Sequence, residues 1–198
     1  MTKKQLRYTL LAEGIIERLF IPAYLKKLAL NTSISFKNST KGNNVYSKSK
    51  VLKSIKNLVS DFVASETEHL FIMGVDLDSD VINDNYFNEI KKLEAEIHQY
   101  VPKDKIVIFV AVQSFDYWMY YQSNKIHKSN SLEKKNRTDI KSWLYGTSQP
   151  NKNDTSIAFN KIFDKIDFEL LSKQSKSFND FHSKIKKYIS ENDSSNKS

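Results

Sequence analysis

The chain contains no cysteine. That absence excludes disulfide frameworks, thiolate zinc sites, iron–sulfur clusters and cysteine nucleophiles, and it permits a reducing compartment. Glycine occurs four times and proline three. No Gly-x-x-x-x-Gly-Lys-Ser/Thr loop is present, so ATP hydrolysis through a phosphate-binding loop is excluded. Long apolar runs are missing as well: the longest clean one, Ile106 to Val112, is far too short to span a bilayer. Near the start, Lys3, Lys4 and Arg7 precede an apolar stretch interrupted by Glu13, Glu17 and Arg18, without a small-residue cleavage site. No signal peptide is expected, and the expectation is a cytoplasmic enzyme or binding domain with no membrane partner.

What remains is a chain of one-domain length, 198 residues, whose 39% apolar and 12% aromatic content suffices for a buried core. Thirty-one Lys and Arg against 23 Asp and Glu leave a formal charge of +8. Such an excess favours polyanions, because clustered cations concentrate phosphate backbones near the surface. The same charge also serves plain solubility, since many lysines fall in runs such as Lys26-Lys27, Lys91-Lys92, Lys134-Lys135 and Lys186-Lys187.

Apolar periodicity switches repeatedly along the chain. Tyr8 to Ala12 reads as a strand, and Ile15, Ile16, Leu19, Phe20, Ala23, Tyr24 and Leu28 as a helix in which Pro22 predicts a kink or break. Ser33 to Phe36 reads as a strand, Asn38 to Asn44 as a polar loop, and Val51 to Val63 as an amphipathic helix. A buried strand, Leu70 to Val75, runs into Asp76, a helix covers Phe87 to Ile97, and Ile106 to Val112 forms a fully apolar strand. Fully apolar strands belong to parallel sheets covered on both faces. The alternation predicts an α/β fold, a doubly wound and mainly parallel four-stranded sheet flanked by helices. Helices are expected around Trp118 to Tyr121, Ile140 to Leu144, Ile157 to Ile166 and Phe178 to Ile189, with a loop over Gly146 to Asp154. The expected organisation is an α/β domain over 1–123 and a helical extension over 124–190 packed on it. The extension begins with a basic linker from Asn124 to Asn136, and a polar, frayed tail follows over 191–198.

Two acidic clusters each follow a strand, and ligands of open parallel sheets gather at the strands' carboxyl ends. Glu13 ends the first strand, with Glu17 one helical turn on. Asp76, Asp78 and Asp80 follow the Leu70 to Val75 strand at alternate positions. Gathering five carboxylates is costly unless something neutralises them, and hard dications with oxygen ligands do so, which points to Mg²⁺ or Mn²⁺. Two such ions can hold a phosphodiester and stabilise both attacking and leaving oxygens. Taken separately, Glu13 and Glu17 read as an acidic first helical turn, and the aspartates as a loop; only together do they point to a metal site. An EF-hand fails, with Val81 where Gly is needed and Phe87 where Glu is needed. Trp118 and Trp143 read either as stacking platforms for unpaired bases or as core at helical spacing.

Leu10-Leu11-Ala12-Glu13-Gly14-Ile15-Ile16-Glu17-Arg18-Leu19-Phe20-Ile21-Pro22 and Met73-Gly74-Val75-Asp76-Leu77-Asp78-Ser79-Asp80 resemble the two signature segments of the Toprim domain. The chain is most similar to the Toprim of OLD-type (overcoming lysogenisation defect) nucleases and to small standalone bacterial Toprim-like proteins linked with phage defence. The segments Val112 to Met119, Lys141 to Gly146 and Ser175 to Phe181 resemble weaker signatures of that standalone group. The resemblance implies a Mg²⁺- or Mn²⁺-dependent nuclease acting on DNA, with RNA as the alternative polymer. Glu13 would be the acid/base or metal carboxylate and Glu17 its partner. Asp76 and Asp78 would be metal ligands, Asp80 an extra one, and Asp116 would stand where a Glu is expected. Lys141 is the candidate cation for the scissile phosphate, although a lysine in a basic helix also reads as solvated. A partner ATPase or other defence subunit, and a homo-oligomer, are the implied protein partners. The alternative is a catalytically degenerate Toprim that binds nucleic acid or assembles a larger complex. No tyrosine stands out as a topoisomerase nucleophile, and the missing cysteines argue against a primase zinc module.

Overall fold

The computed structural model describes residues 3–39, 50–51, 69–77, 84–112, 114–123 and 137–193. Four strands, β1 (Lys4–Ala12), β2 (Ile34–Asn38), β3 (His69–Asp76) and β4 (Ile106–Ala111), form one sheet in the order β2-β1-β3-β4. Every pairing is parallel. Seven helices occur among the described residues: α1 (Ile15–Leu28), α2 (Asp84–His98), α3 (Asp116–Ser123), α4 (Arg137–Tyr145), α5 (Lys152–Ile162), α6 (Phe168–Gln174) and α7 (Lys176–Asn192). The α/β class is as expected. The helix over Val51 to Val63 lies outside the described residues beyond Val51, as do most of the Asn38 to Asn44 loop and the Asn124 to Asn136 linker.

Alternation along the strands divides the core between two faces. Leu10, Ile72, Val107 and Phe109 point to one face, where α1 and α3 to α7 pack; Leu11, Phe71, Met73, Ile108 and Val110 point to the other, beneath Tyr86, Leu93 and Ile97 of α2. The first face is unusually aromatic. Phe20 and Tyr24 of α1 meet Trp118 of α3 and Phe168, Phe178 and Phe181 of α6 and α7 in edge-on and tilted contacts. The Tyr24 hydroxyl is hydrogen-bonded to His182 Nδ1 at 2.7 Å, so these two buried polar groups satisfy each other within the aromatic layer.

Gly74 in β3 lies beside Phe109 of β4 in register. A Cβ at Gly74 would fall 1.9 Å from the Phe109 ring. Gly74→Ala is therefore expected to destabilise the protein by about 3 kcal/mol or more, since a central sheet position cannot shift to relieve overpacking. Urea denaturation measures it, and Phe109→Leu in the same chain should recover part of the loss.

Three expectations are corrected. Helix α1 runs through Pro22 without a break, because Phe20, Ile21, Tyr24 and Leu25 are buried on either side and tertiary packing outweighs the lost backbone bond. Helix α5 begins at Lys152, inside the expected Gly146 to Asp154 loop, because Asn151 and Asp154 form a reciprocal capping box. The polar tail is tied down at its start: Glu191 and Asn192 belong to α7, and Asp193 Oδ1 accepts from the Ser33 backbone N–H at 3.0 Å and its hydroxyl at 2.5 Å.

Helices α2 and α7 lie on opposite faces of the sheet and can meet only beyond its β4 edge. There the Tyr86 hydroxyl donates to Asp180 Oδ2 at 2.6 Å, and Lys176 Nζ stands 5.8 Å from the Phe87 ring centre.

Candidate metal and phosphate site

From β1 the chain passes outward to β2 and then returns across β1 to reach β3. The direction of winding thus reverses between β1 and β3, the place where open α/β sheets leave a crevice. Glu13 follows β1, Asp76 ends β3, and Asp116 opens α3 just after β4. Glu17 projects from the first turn of α1. These four carboxylates line one cleft of about 310 Å³ together with Arg137, Lys141 and Tyr145. Asp78 and Asp80 lie outside the described residues.

Individual contacts hold the carboxylates in place. Glu13 Oε1 accepts from the Asp76 backbone N–H at 3.1 Å and so bridges the crevice. Asp76 Oδ1 accepts from the Phe115 N–H at 2.9 Å, and Asp76 Oδ2 from Arg137 Nη2 at 3.1 Å. Asp116 accepts from the Tyr145 hydroxyl and from Ser114 Oγ, with Lys141 Nζ 3.9 Å away. Glu17 is buried, and its Oε2 has no hydrogen-bond partner. A Cβ on Gly14 would stand 2.4 Å from that oxygen, so a glycine is needed there for the carboxyl group to fold back over the helix start.

Burial and crowding change the acidity of the cluster. Glu17 is pushed up from 4.5 to about 7, chiefly by burial and then by the charges of Asp116 and Glu13. A hydrogen bond to its own backbone N–H and the charge of Arg18 oppose the rise. Asp76 is also held well above the usual carboxylate range by burial, Glu17 and Asp116, against the pull of Arg137. Tyr145 is held far above the usual phenol range by burial and by Asp116, and so stays a proton donor to that carboxylate.

Sequence reading named Glu13, Glu17, Asp76, Asp116 and Lys141, and all five line the cleft. It missed Arg137 and Tyr145. Their signal was present: positions 137, 141 and 145 recur every four residues and so lie along one side of α4. Arg137 directly follows the polar stretch read as linker, and Tyr145 lies inside the Lys141 to Gly146 segment without having been given a role of its own.

The donors are carboxylate oxygens, the chemistry that hard dications take, and Glu17 offers a buried oxygen without a partner. Among the described residues, no group of three or more acidic or histidine side chains forms a ready-made cage for a metal ion. Mg²⁺ does not demand one, because it keeps several waters and usually binds through one or two carboxylates. Among the described residues, no helix is long and apolar enough to cross a membrane. No family model, curated protein or solved structure matches the chain.

Proposed function

We propose that the cleft is a Toprim-type, Mg²⁺- or Mn²⁺-dependent nuclease centre that hydrolyses phosphodiester bonds of DNA, with RNA as the alternative polymer, in the setting of anti-phage defence. The observation that carries this reading is the convergence of Glu13, Glu17, Asp76 and Asp116 from three strand ends into one cleft. One or two carboxylates of the set Glu13, Asp76 and Asp116 would hold the ion with water completing its shell, and Glu17 has an oxygen to offer it or a proton to exchange. When bound, the dication supplies stabilisation of charge on the phosphoryl oxygens and acidifies water.

The protein's own groups supply the rest. Arg137 and Lys141, one turn apart on α4, can take phosphate oxygens in place of carboxylates, Arg137 through two parallel N–H donors. Glu17 titrates around neutral pH, which suits a group that accepts a proton from the attacking water. Tyr145 fixes the rotamer of Asp116. The test is incubation of the purified chain with supercoiled, linear and single-stranded DNA, with and without Mn²⁺. Divalent-dependent cleavage of at least one substrate is expected; its absence on all three with both Mn²⁺ and Mg²⁺ overturns the reading.

One observation favours the second reading, a degenerate site in a nucleic-acid-binding or assembly subunit. Asp76 already has Arg137 on one oxygen and a backbone N–H on the other, so the protein itself neutralises part of the cluster. Under that reading calorimetry finds no Mn²⁺ binding to the wild-type chain.

A further inference from the structure

The two tryptophans, alike in the sequence, have opposite fates in the fold. Trp118 is fully buried, stacked on Phe181. Trp143 is 47% exposed, although it is among the largest apolar side chains and sits on a helix whose Ile140 and Leu144 are buried beside it. A lone exposed aliphatic is ordinary, whereas an exposed Trp held in a fixed orientation is the usual anchor of a recognition surface. Trp143 is held in this way: the Tyr120 ring meets it edge to face at 5.1 Å and 88°, and Tyr120 itself is buried. The Tyr120 ring therefore steadies the indole from the protein side, while much of Trp143 remains open to water.

The position of this platform relative to the cleft follows from helix geometry. Tyr120 is four residues beyond Asp116 on α3, one turn or about 6 Å along the axis. Trp143 is on α4, the helix that carries Arg137 and Lys141 along the cleft. By angle, residue 143 lies about 160° around α4 from Lys141, beyond the buried Ile140 and Leu144 stripe, so the indole stands on the far side of that helix from the cleft, about one helix width away. A polymer whose phosphate sits at Arg137 and Lys141 would cross the outer face of α4, about 10 Å wide, to reach the indole a few nucleotides on, provided its bases are unpaired. In a duplex the base faces are stacked internally and cannot lie on a protein ring.

We infer that Trp143, backed by Tyr120, is a base-stacking platform, and that the polymer this chain takes is single-stranded nucleic acid. The inference deepens the nuclease reading, on which it rests for the phosphate position, by naming the substrate class. Stacking of this kind tolerates any base and contributes binding without sequence preference.

The experiment uses the chain's own fluorescence in EDTA, so binding is read without cleavage. Only two tryptophans are present, and Trp118 is shielded. Titration with a thymidine dodecamer is expected to quench the emission saturably, whereas a duplex dodecamer of mixed sequence binds more weakly and leaves it unchanged. Trp143→Ala should weaken dodecamer binding, followed by anisotropy of an end-labelled strand, about ten-fold. Trp143→Phe should keep most of the affinity while losing the quenching, which separates stacking from misfolding. A uridine dodecamer, run in parallel, assigns the polymer as DNA or RNA by the tighter affinity. No quenching by either single strand, or equal affinity in Trp143→Ala, overturns the inference. Cleavage without quenching would sink the platform and leave the nuclease reading standing; quenching without cleavage would do the reverse.

Discussion

Glu13→Ala and Asp76→Asn are each expected to lower Mn²⁺-dependent cleavage by about a thousand-fold or more, because each removes a carboxyl group that would ionise to hold the dication at the crevice between β1 and β3. The asparagine is chosen for Asp76 because its side-chain oxygen can still accept from the Phe115 N–H. Burial already disfavours the charge of Asp76, so the neutral amide should not unfold the protein. Circular dichroism should be unchanged while single-turnover cleavage of a labelled oligonucleotide disappears. Full activity in both variants would remove these carboxylates from the chemistry. Lys141→Ala is a milder change, since its ammonium stands 3.9 Å from Asp116 and is partly exposed.

The second large effect concerns stability and has the opposite sign from an ordinary carboxylate substitution. Glu17 has a folded-state pKa of about 7 against an ordinary value of 4.5, so the native state holds a proton that the unfolded chain gives up. Stability contributed by this group is greatest below pH 4.5, falls as pH rises from 4.5 to about 7, and is fully lost above that window. A displacement of that size corresponds to about 3 kcal/mol. Asp76, raised for the same reasons, adds to the loss in the same direction. Glu17→Gln should therefore stabilise the metal-free protein by up to about 3 kcal/mol at pH 8 and by almost nothing at pH 4. Thermal melts at the two pH values read the difference directly. A variant less stable than wild type at pH 8 would mean that the carboxylate is better compensated than its surroundings indicate. Mn²⁺ at pH 8 should raise the melting temperature of the wild type, since a bound dication relieves the same repulsion.

The strands of this sheet were legible because three of them are buried on both faces. Tyr8 to Ala12, Leu70 to Val75 and Ile106 to Val112 are continuous apolar runs, and such runs have few other uses. The placement of Glu13 and Asp76 at carboxyl ends followed from that alone. Pairing order was not legible, because no local pattern records which strand lies next to which. The crevice between β1 and β3 therefore had to come from the fold. Helix α6, Phe168–Gln174, escaped notice because two turns carry too few apolar positions to establish a period. Arg137 escaped because a cation at the end of a basic, polar stretch looks solvated until a buried carboxylate is found opposite it. The tryptophans show the limit most clearly: composition cannot tell Trp118 from Trp143, and only packing makes one a core side chain and the other a surface.

The contacts that join α2 to α7 beyond β4 carry a consequence for self-association. An outermost strand ordinarily offers its backbone to any neighbouring chain, and an apolar one invites uncontrolled growth. Here the Tyr86 phenol and the Asp180 carboxylate form a clasp across that margin. Where the clasp sits, the margin of β4 is covered by side chains, whereas Ile106 to Ile108 further along the strand line a cavity between the same two helices. The opposite margin is the short β2, five residues long and ending in Lys37 and Asn38, a strand whose length and polarity discourage extension in the other direction.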